Sequence, residues 1–283
     1  MTLCIAADCD FEGAPAIVLC CDWRAQTGAE GGVLIGTDDV YKIRQRGPAT
    51  ILIAGHPTQG DELVNACKQA IDDFSRAPID LDHDLATNRF FEALRSSAEK
   101  RKSEIIDHHV AMRLGRSYAE LLKLPTDNFI ELWSEINGLN LGADLIIGIV
   151  TNEPTIITLD RWGSVQWHTN YAAIGEGADV ARAMLCLQTW QGDQSGKGPL
   201  TSVPLPRCLY RVYEAKKASH IANPSSVGEA TQFEVLLAQG KRNGINIKGL
   251  KVLDGLFNRK HRVPRVSLDK DILVEPNLAP LKN

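Results

Sequence analysis

Residues 2–22 read TLCIAADCDFEGAPAIVLCCD, two apolar runs about a short polar break. Thr2 to Cys9 and Ala14 to Asp22 are short apolar runs of strand length. Between them, Asp10-Phe11-Glu12-Gly13 has the composition of a hairpin turn. Beyond a Gly-rich loop (Gly28 to Gly32) come Val33-Leu34-Ile35, Val40-Tyr41-Lys42-Ile43 and Ala49-Thr50-Ile51-Leu52-Ile53-Ala54-Gly55. Five strand candidates within about fifty residues leave no room for crossover helices, so the spacing predicts an antiparallel meander.

The period then changes. Leu63, Val64, Cys67, Ala70, Ile71 and Phe74 recur at helical spacing after Thr58-Gln59-Gly60-Asp61, which has the form of a capping box. Further helices are predicted from near Leu85 past Ile106, over Ser117 to Leu124, and over Asn128 to Ile136. Strand signals return at Ala143 to Val150, Pro154 to Leu159 and Ser164 to His168. Helices over Ala178 to Thr189 and Arg207 to Ser219 follow, then a strand at Thr231 to Leu237. Leu250 to Leu253 is a last apolar run before a polar, proline-bearing tail. Such segregation is the order of an α+β domain with helices packed on antiparallel sheets. One domain is expected over 1–240, with a helical insert at 103–138 and a C-terminal extension over 241–283.

Composition narrows the class. Of 283 residues, 44% are hydrophobic and 23% charged, an ordinary globular mix with enough length for a sizeable core. A net charge of −4 supplies no field that would draw nucleic acid or an anionic membrane. No apolar run has membrane-spanning length, and the first residues lack the basic and apolar regions of a signal peptide. Cys4, Cys9, Cys20, Cys21, Cys67, Cys186 and Cys208 are an odd number without CxxC spacing. Buried free thiols and a cytoplasmic location are expected from that usage. Asp80, Asp82, His83, Asp84, Glu104, Asp107, His108 and His109 lack paired-ligand spacing, so no metal is expected. Gly192-Asp193-Gln194-Ser195-Gly196-Lys197 is one residue short of a phosphate loop and follows no strand, so no nucleotide cofactor is expected.

Thr2 stands directly behind the start methionine and is small enough for Met1 to be trimmed. Trimming would leave a free α-amino group beside a hydroxyl, one recognised way of activating a threonine. Asp22-Trp23-Arg24-Ala25-Gln26-Thr27-Gly28 then resembles the "D-x-R-A-T-x-G" stretch of proteasome β-type subunits. Val40-Tyr41-Lys42-Ile43 resembles the strand carrying that family's catalytic lysine, and Ile53-Ala54-Gly55 followed by Asp61 resembles its "AG-x-x-x-D" turn. Ala173-Ile174-Gly175-Glu176-Gly177-Ala178 is similar to the turn opening the third family helix. Tyr213-Glu214-Ala215-Lys216-Lys217-Ala218-Ser219, with Val227-Gly228 before a strand, is similar to the fourth helix and closing strand. The order and spacing of these motifs, from Thr2 to about Leu237, carry the resemblance; the bacterial HslV peptidase shares the plan.

The resemblance implies a four-layer αββα sandwich of two antiparallel sheets flanked by helices. It implies a threonine-type peptidase in a self-assembled homo-oligomeric ring, acting on a peptide or unfolded protein and fed by an unfolding ATPase. Thr2 would attack the scissile carbonyl with its own amine as base, and Lys42 would supply a positive charge beside it. Asp22 would hold Lys42, and the Gly55 N–H would donate to the oxyanion. Arg24 would brace the Asp22 loop, and Ile53 matches a position lining the primary specificity pocket. Three departures stand out. Glu176 replaces a serine near the nucleophile; Ala218-Ser219-His220 offers no second supporting aspartate; and Ser226 matches the supporting serine only across a longer loop. A catalytically silent scaffold subunit, or an amidase of this class acting on a small non-peptide amide, stay open as alternatives.

Overall fold

β1 (Leu3–Phe11) and β2 (Ala14–Asp22) form the expected hairpin. It turns on Glu12 and Gly13, whose φ values of 57° and 86° are both positive, as a two-residue turn matching strand twist requires. The Asp10 carboxylate accepts the Gly13 N–H at 2.9 Å, and strand pairing continues to Phe11 opposite Ala14. A computed structural model describes residues 2–22, 25–28, 34–37, 42–76, 83–114, 129–151, 153–193, 203–259 and 273–274.

The remaining strands are β3 (Ala25–Gly28), β4 (Leu34–Thr37), β5 (Ile43–Arg46), β6 (Ala49–Gly55), β7 (Ala143–Val150), β8 (Pro154–Leu159), β9 (Val165–His168), β10 (Tyr171–Gly175), β11 (Thr231–Leu237), β12 (Arg242–Ile245) and β13 (Leu273–Val274). Helices are α1 (Pro57–Ala66), α2 (Lys68–Ser75), α3 (His83–Leu114), α4 (Phe129–Gly138), α5 (Ala178–Asp193), α6 (Leu205–Ala222) and α7 (Ile247–Asn258). One sheet runs β10-β1-β2-β11-β12-β13 and a second runs β5-β6-β7-β8-β9, while β3 and β4 pair separately. The pairings between these strands are all antiparallel, so among the described residues the chain is a mixed fold of two main antiparallel sheets and seven helices.

Side-chain alternation explains the packing. Leu3, Ile5, Ala7 and Cys9 of β1 join Ala181 and Leu185 of α5, Leu209 and Val212 of α6, and Leu253 of α7 in one core. Ile51 and Ile53 of β6 join Leu63, Ile71, Phe90 and Leu94 of α1–α3 in another. The opposite faces, Cys4, Ala6, Ile17 and Leu19 against Leu52, Ala54 and Ile146, form a third core between the two sheets. Each fully buried Leu or Ile contributes about 1.5–3 kcal/mol.

The structure departs from the sequence expectations at identifiable points. The first strands do not form one meander: β1 and β2 belong to one sheet and β5 and β6 to the other. Lys42 lies just ahead of β5 rather than inside a 40–43 strand. The proposed capping box is absent, because α1 is preceded by His56 as its N-cap, without a side-chain cap bond, and Asp61 instead pairs with Arg44 at 2.6 and 3.0 Å. Among the described residues beyond 240, β12 pairs with β11 in the first sheet, and Asp254 of α7 accepts from the Tyr213 hydroxyl of α6 at 2.8 Å. Gly192 and Asp193 fall within α5 rather than in a loop. The segment 117–124 lies outside the described residues. Cys186 is exposed, against the expectation of burial, and the other six free cysteines are buried. Among the described residues no helix is long and apolar enough to cross a membrane.

Candidate active site

Thr2 immediately precedes β1, and its carbonyl accepts the Glu176 N–H at 2.9 Å, continuing the β1–β10 ladder. Such close approach depends on Gly175, which has φ 92° and whose Cβ, if present, would lie 2.1 Å from the Thr2 carbonyl oxygen. Strand alternation puts the Thr2 side chain on the same face as Cys4 and Ala6, toward the second sheet.

Asp22 ends β2, so the hairpin returns it beside the start of the chain. Four donors converge on its fully enclosed carboxylate. Oδ1 accepts from the Thr2 hydroxyl at 2.7 Å, the Leu3 N–H at 3.0 Å and the Lys42 ammonium at 2.6 Å, while Oδ2 accepts from the Gly228 N–H at 2.6 Å. Lys42 also donates to the Thr2 hydroxyl oxygen. Thr2, Asp22 and Lys42 are 4%, 0% and 5% exposed, so the ion pair operates with little water to screen it. A buried pair needs its remaining hydrogen-bonding capacity filled, and the backbone donors on Asp22 do so.

Lys42 is anchored by its own main chain. Its carbonyl accepts the Ile53 N–H at 2.9 Å, which ties the lysine to β6 before β5 begins. Alternation along β6 then directs the Gly55 N–H to this same side, two residues on from the Ile53 N–H that donates to Lys42, while His56 donates to Gly142 just ahead of β7. Gly55 is exposed with φ 125°, and an added Cβ would lie 2.6 Å from the Gly142 carbonyl oxygen. Its conformation is therefore restricted to glycine. The Cys4 thiol donates to the Ile53 carbonyl at 3.5 Å, which sets the start of β1 over the end of β6.

Ile53 is 4% exposed and packs in the core beneath α1, where Gly60 leaves room for its side chain, so it does not face Thr2. Glu176 reaches Thr2 through its backbone, while its side chain is exposed. Ser226 lies in the turn after α6, its N–H bonded to Asn223 at 3.1 Å, two residues before the Gly228 donor. Arg24 lies outside the described residues. Gly228 is the member of the site that sequence reasoning missed; it stands in a quoted motif, but a backbone donor leaves no side-chain signature.

Burial also bears on the two cysteines beside the cluster, Cys4 and Cys21. Cys21 is pushed up to about 12, and Cys4 well above the ordinary thiol value, chiefly by burial. Both thiols stay protonated and unreactive near neutral pH. The Thr2 hydroxyl, by contrast, lies against both the Lys42 ammonium and the Asp22 carboxylate. Among the described residues no cluster of His, Cys, Asp and Glu could hold a metal ion. Comparison of the sequence with protein-family models gives no match, and no curated protein matches the chain.

Proposed function

We propose that the chain is a threonine-type peptidase of the N-terminal-nucleophile class, a proteasome-like αββα protein that works as a ring of identical subunits. The observation that carries this is the Thr2 hydroxyl, at the second position of the chain, held between the Lys42 ammonium and the Asp22 carboxylate. Removal of Met1 frees the Thr2 amine, whose ordinary pKa of about 7.7–8.0 suits it to accept a proton near neutral pH. The amine takes the hydroxyl proton as Oγ1 bonds to the scissile carbonyl carbon. Lys42 offsets the negative charge growing on Oγ1, and the Gly55 N–H offsets that on the carbonyl oxygen. The C–N bond then breaks, the leaving amine takes the proton, and water hydrolyses the Thr2 ester.

Asp22 carries the geometry rather than the proton. It holds Lys42 and Thr2 on one oxygen and is itself fixed by Leu3 and Gly228. The test is hydrolysis of small peptide amides by wild type, Thr2→Ala and Thr2→Ser. Activity lost in the alanine variant and partly kept in the serine variant supports the mechanism. Activity retained by Thr2→Ala refutes it, and a wild type inert to peptide amides points to a silent scaffold or a small-amide hydrolase.

A further inference from the structure

α6 stands behind the site, on the helix side of its sheet, and three of its side chains grip the two turns that border Thr2. Ser219 Oγ donates to the Gly177 carbonyl at 3.0 Å, beside the Gly175-Glu176 turn. His220 Nδ1 lies 2.6 Å from the Val227 carbonyl oxygen, and Lys216 Nζ donates to the Glu229 carbonyl. Both turns meet where Gly177 faces Val227 and Ser219, and a Cβ there would lie 2.7 Å from Val227 Cγ2.

Lys216 is the unexpected member. It heads the fully buried side chains by volume, at 0% exposed, in a helix whose inner face is otherwise mostly apolar. Enclosing an ammonium costs several kcal/mol, and a methionine would fill similar space without that cost. Burial pulls the ammonium down to about 8; Asp22 on β2 and Glu229 on the turn favour the charged form, Lys217 on α6 opposes it, and the neighbouring Cys20 thiol is held protonated by burial. The carbonyl it holds belongs to the residue after Gly228, and the Gly228 N–H is the donor on Asp22 Oδ2.

The geometry points to Lys216 as a positioning residue for the Thr2 site. By holding the Glu229 carbonyl it fixes the 227–229 turn, keeps the Gly228 N–H on Asp22, and so keeps the other carboxylate oxygen on Thr2 and Lys42. This deepens the proposed function and rests on it.

The test compares wild type, Thr2→Ala, Lys216→Met and Lys216→Gln in peptide-amide hydrolysis, in labelling by a threonine-directed electrophile, and in thermal unfolding. Lys216→Met is expected to melt at or above the wild-type temperature, because a buried cation has been replaced by an apolar chain. Its kcat and labelling rate are expected to fall about 10- to 100-fold with KM within about twofold, the signature of a displaced reacting group rather than weaker binding. Lys216→Gln keeps a donor and is expected to recover part of the loss; it decides the matter if the methionine variant does not fold. A lower melting temperature with unchanged kcat makes Lys216 merely structural and overturns the inference. Wild type that neither hydrolyses nor labels, or a Thr2→Ala variant that stays active, instead refutes the proposed function, and this inference with it.

Discussion

Removing either member of the Lys42–Asp22 pair should destabilise the fold unequally, and the inequality follows from the donor count. Lys42→Met leaves Asp22 with three of its four donors: the Thr2 hydroxyl, the Leu3 N–H and the Gly228 N–H. Asp22→Ala leaves the Lys42 ammonium, 5% exposed, without its carboxylate and strips two buried backbone N–H groups of their acceptor. Breaking a buried pair by deleting one partner costs about 3–5 kcal/mol, and each orphaned donor adds about 1–3 kcal/mol. Lys42→Met should therefore sit near 3 kcal/mol, and Asp22→Ala at 5 kcal/mol or more, on the same approximate scale. In thermal unfolding that corresponds to roughly 2–4 °C per kcal/mol for a domain of this size. Both variants should lose hydrolysis. If Asp22→Ala unfolds within about 1 kcal/mol of wild type, as an exposed ion pair would, the buried four-donor carboxylate is wrong and the site geometry fails with it.

Other consequences follow from single contacts. Gly175→Ala puts a methyl group into the Thr2 carbonyl at a positive φ, so it should cost at least about 2 kcal/mol in urea unfolding and abolish activity with it. Burial pushes the Asp8 carboxyl up to about 7 and, among the described residues, neither of its oxygens has a hydrogen-bond partner. The folded-state value is raised, so this group's contribution is complete below its unfolded value and is lost as pH rises through about 7. Asp8→Asn should therefore be more stable than wild type at pH 8, by at most about 4 kcal/mol, with the gap closing near pH 4 in parallel melts. Asp61→Ala serves as the contrast: its pair with Arg44 is 45% and 30% exposed, and its loss should cost under about 1 kcal/mol.

How much was legible in the sequence depended on the kind of signal. β6 was placed at Ala49 to Gly55 and β2 at Ala14 to Asp22 because continuous apolar runs end in turn residues. Thr2, Asp22 and Lys42 are brought together as the family resemblance implied. β10 was not seen as a strand, because Tyr171 to Gly175 is only five residues long and follows β9 almost directly. Yet its pairing with β1 is what fixes the Thr2 carbonyl. Ile53, matched by resemblance to a pocket-lining position, packs in the core beneath α1. β6 is buried on both faces from Ala49 to Ala54, so its mainly apolar run does not reveal which side faces the helices. Asp61 had the right type and spacing for a capping box, but the Arg44 guanidinium competes for it from the adjoining strand. Gly228 and the Glu229 carbonyl act through backbone atoms, and no residue pattern announces them.

The most direct test of the central claim is the intact mass of the protein made in cells, with peptide mapping after exposure to a threonine-directed electrophile. Met1 should be absent and the label should sit on Thr2, with no label on Thr2→Ala. Full retention of Met1 with no labelling contradicts that claim, because an amine still locked in a peptide bond cannot serve as the base for Thr2.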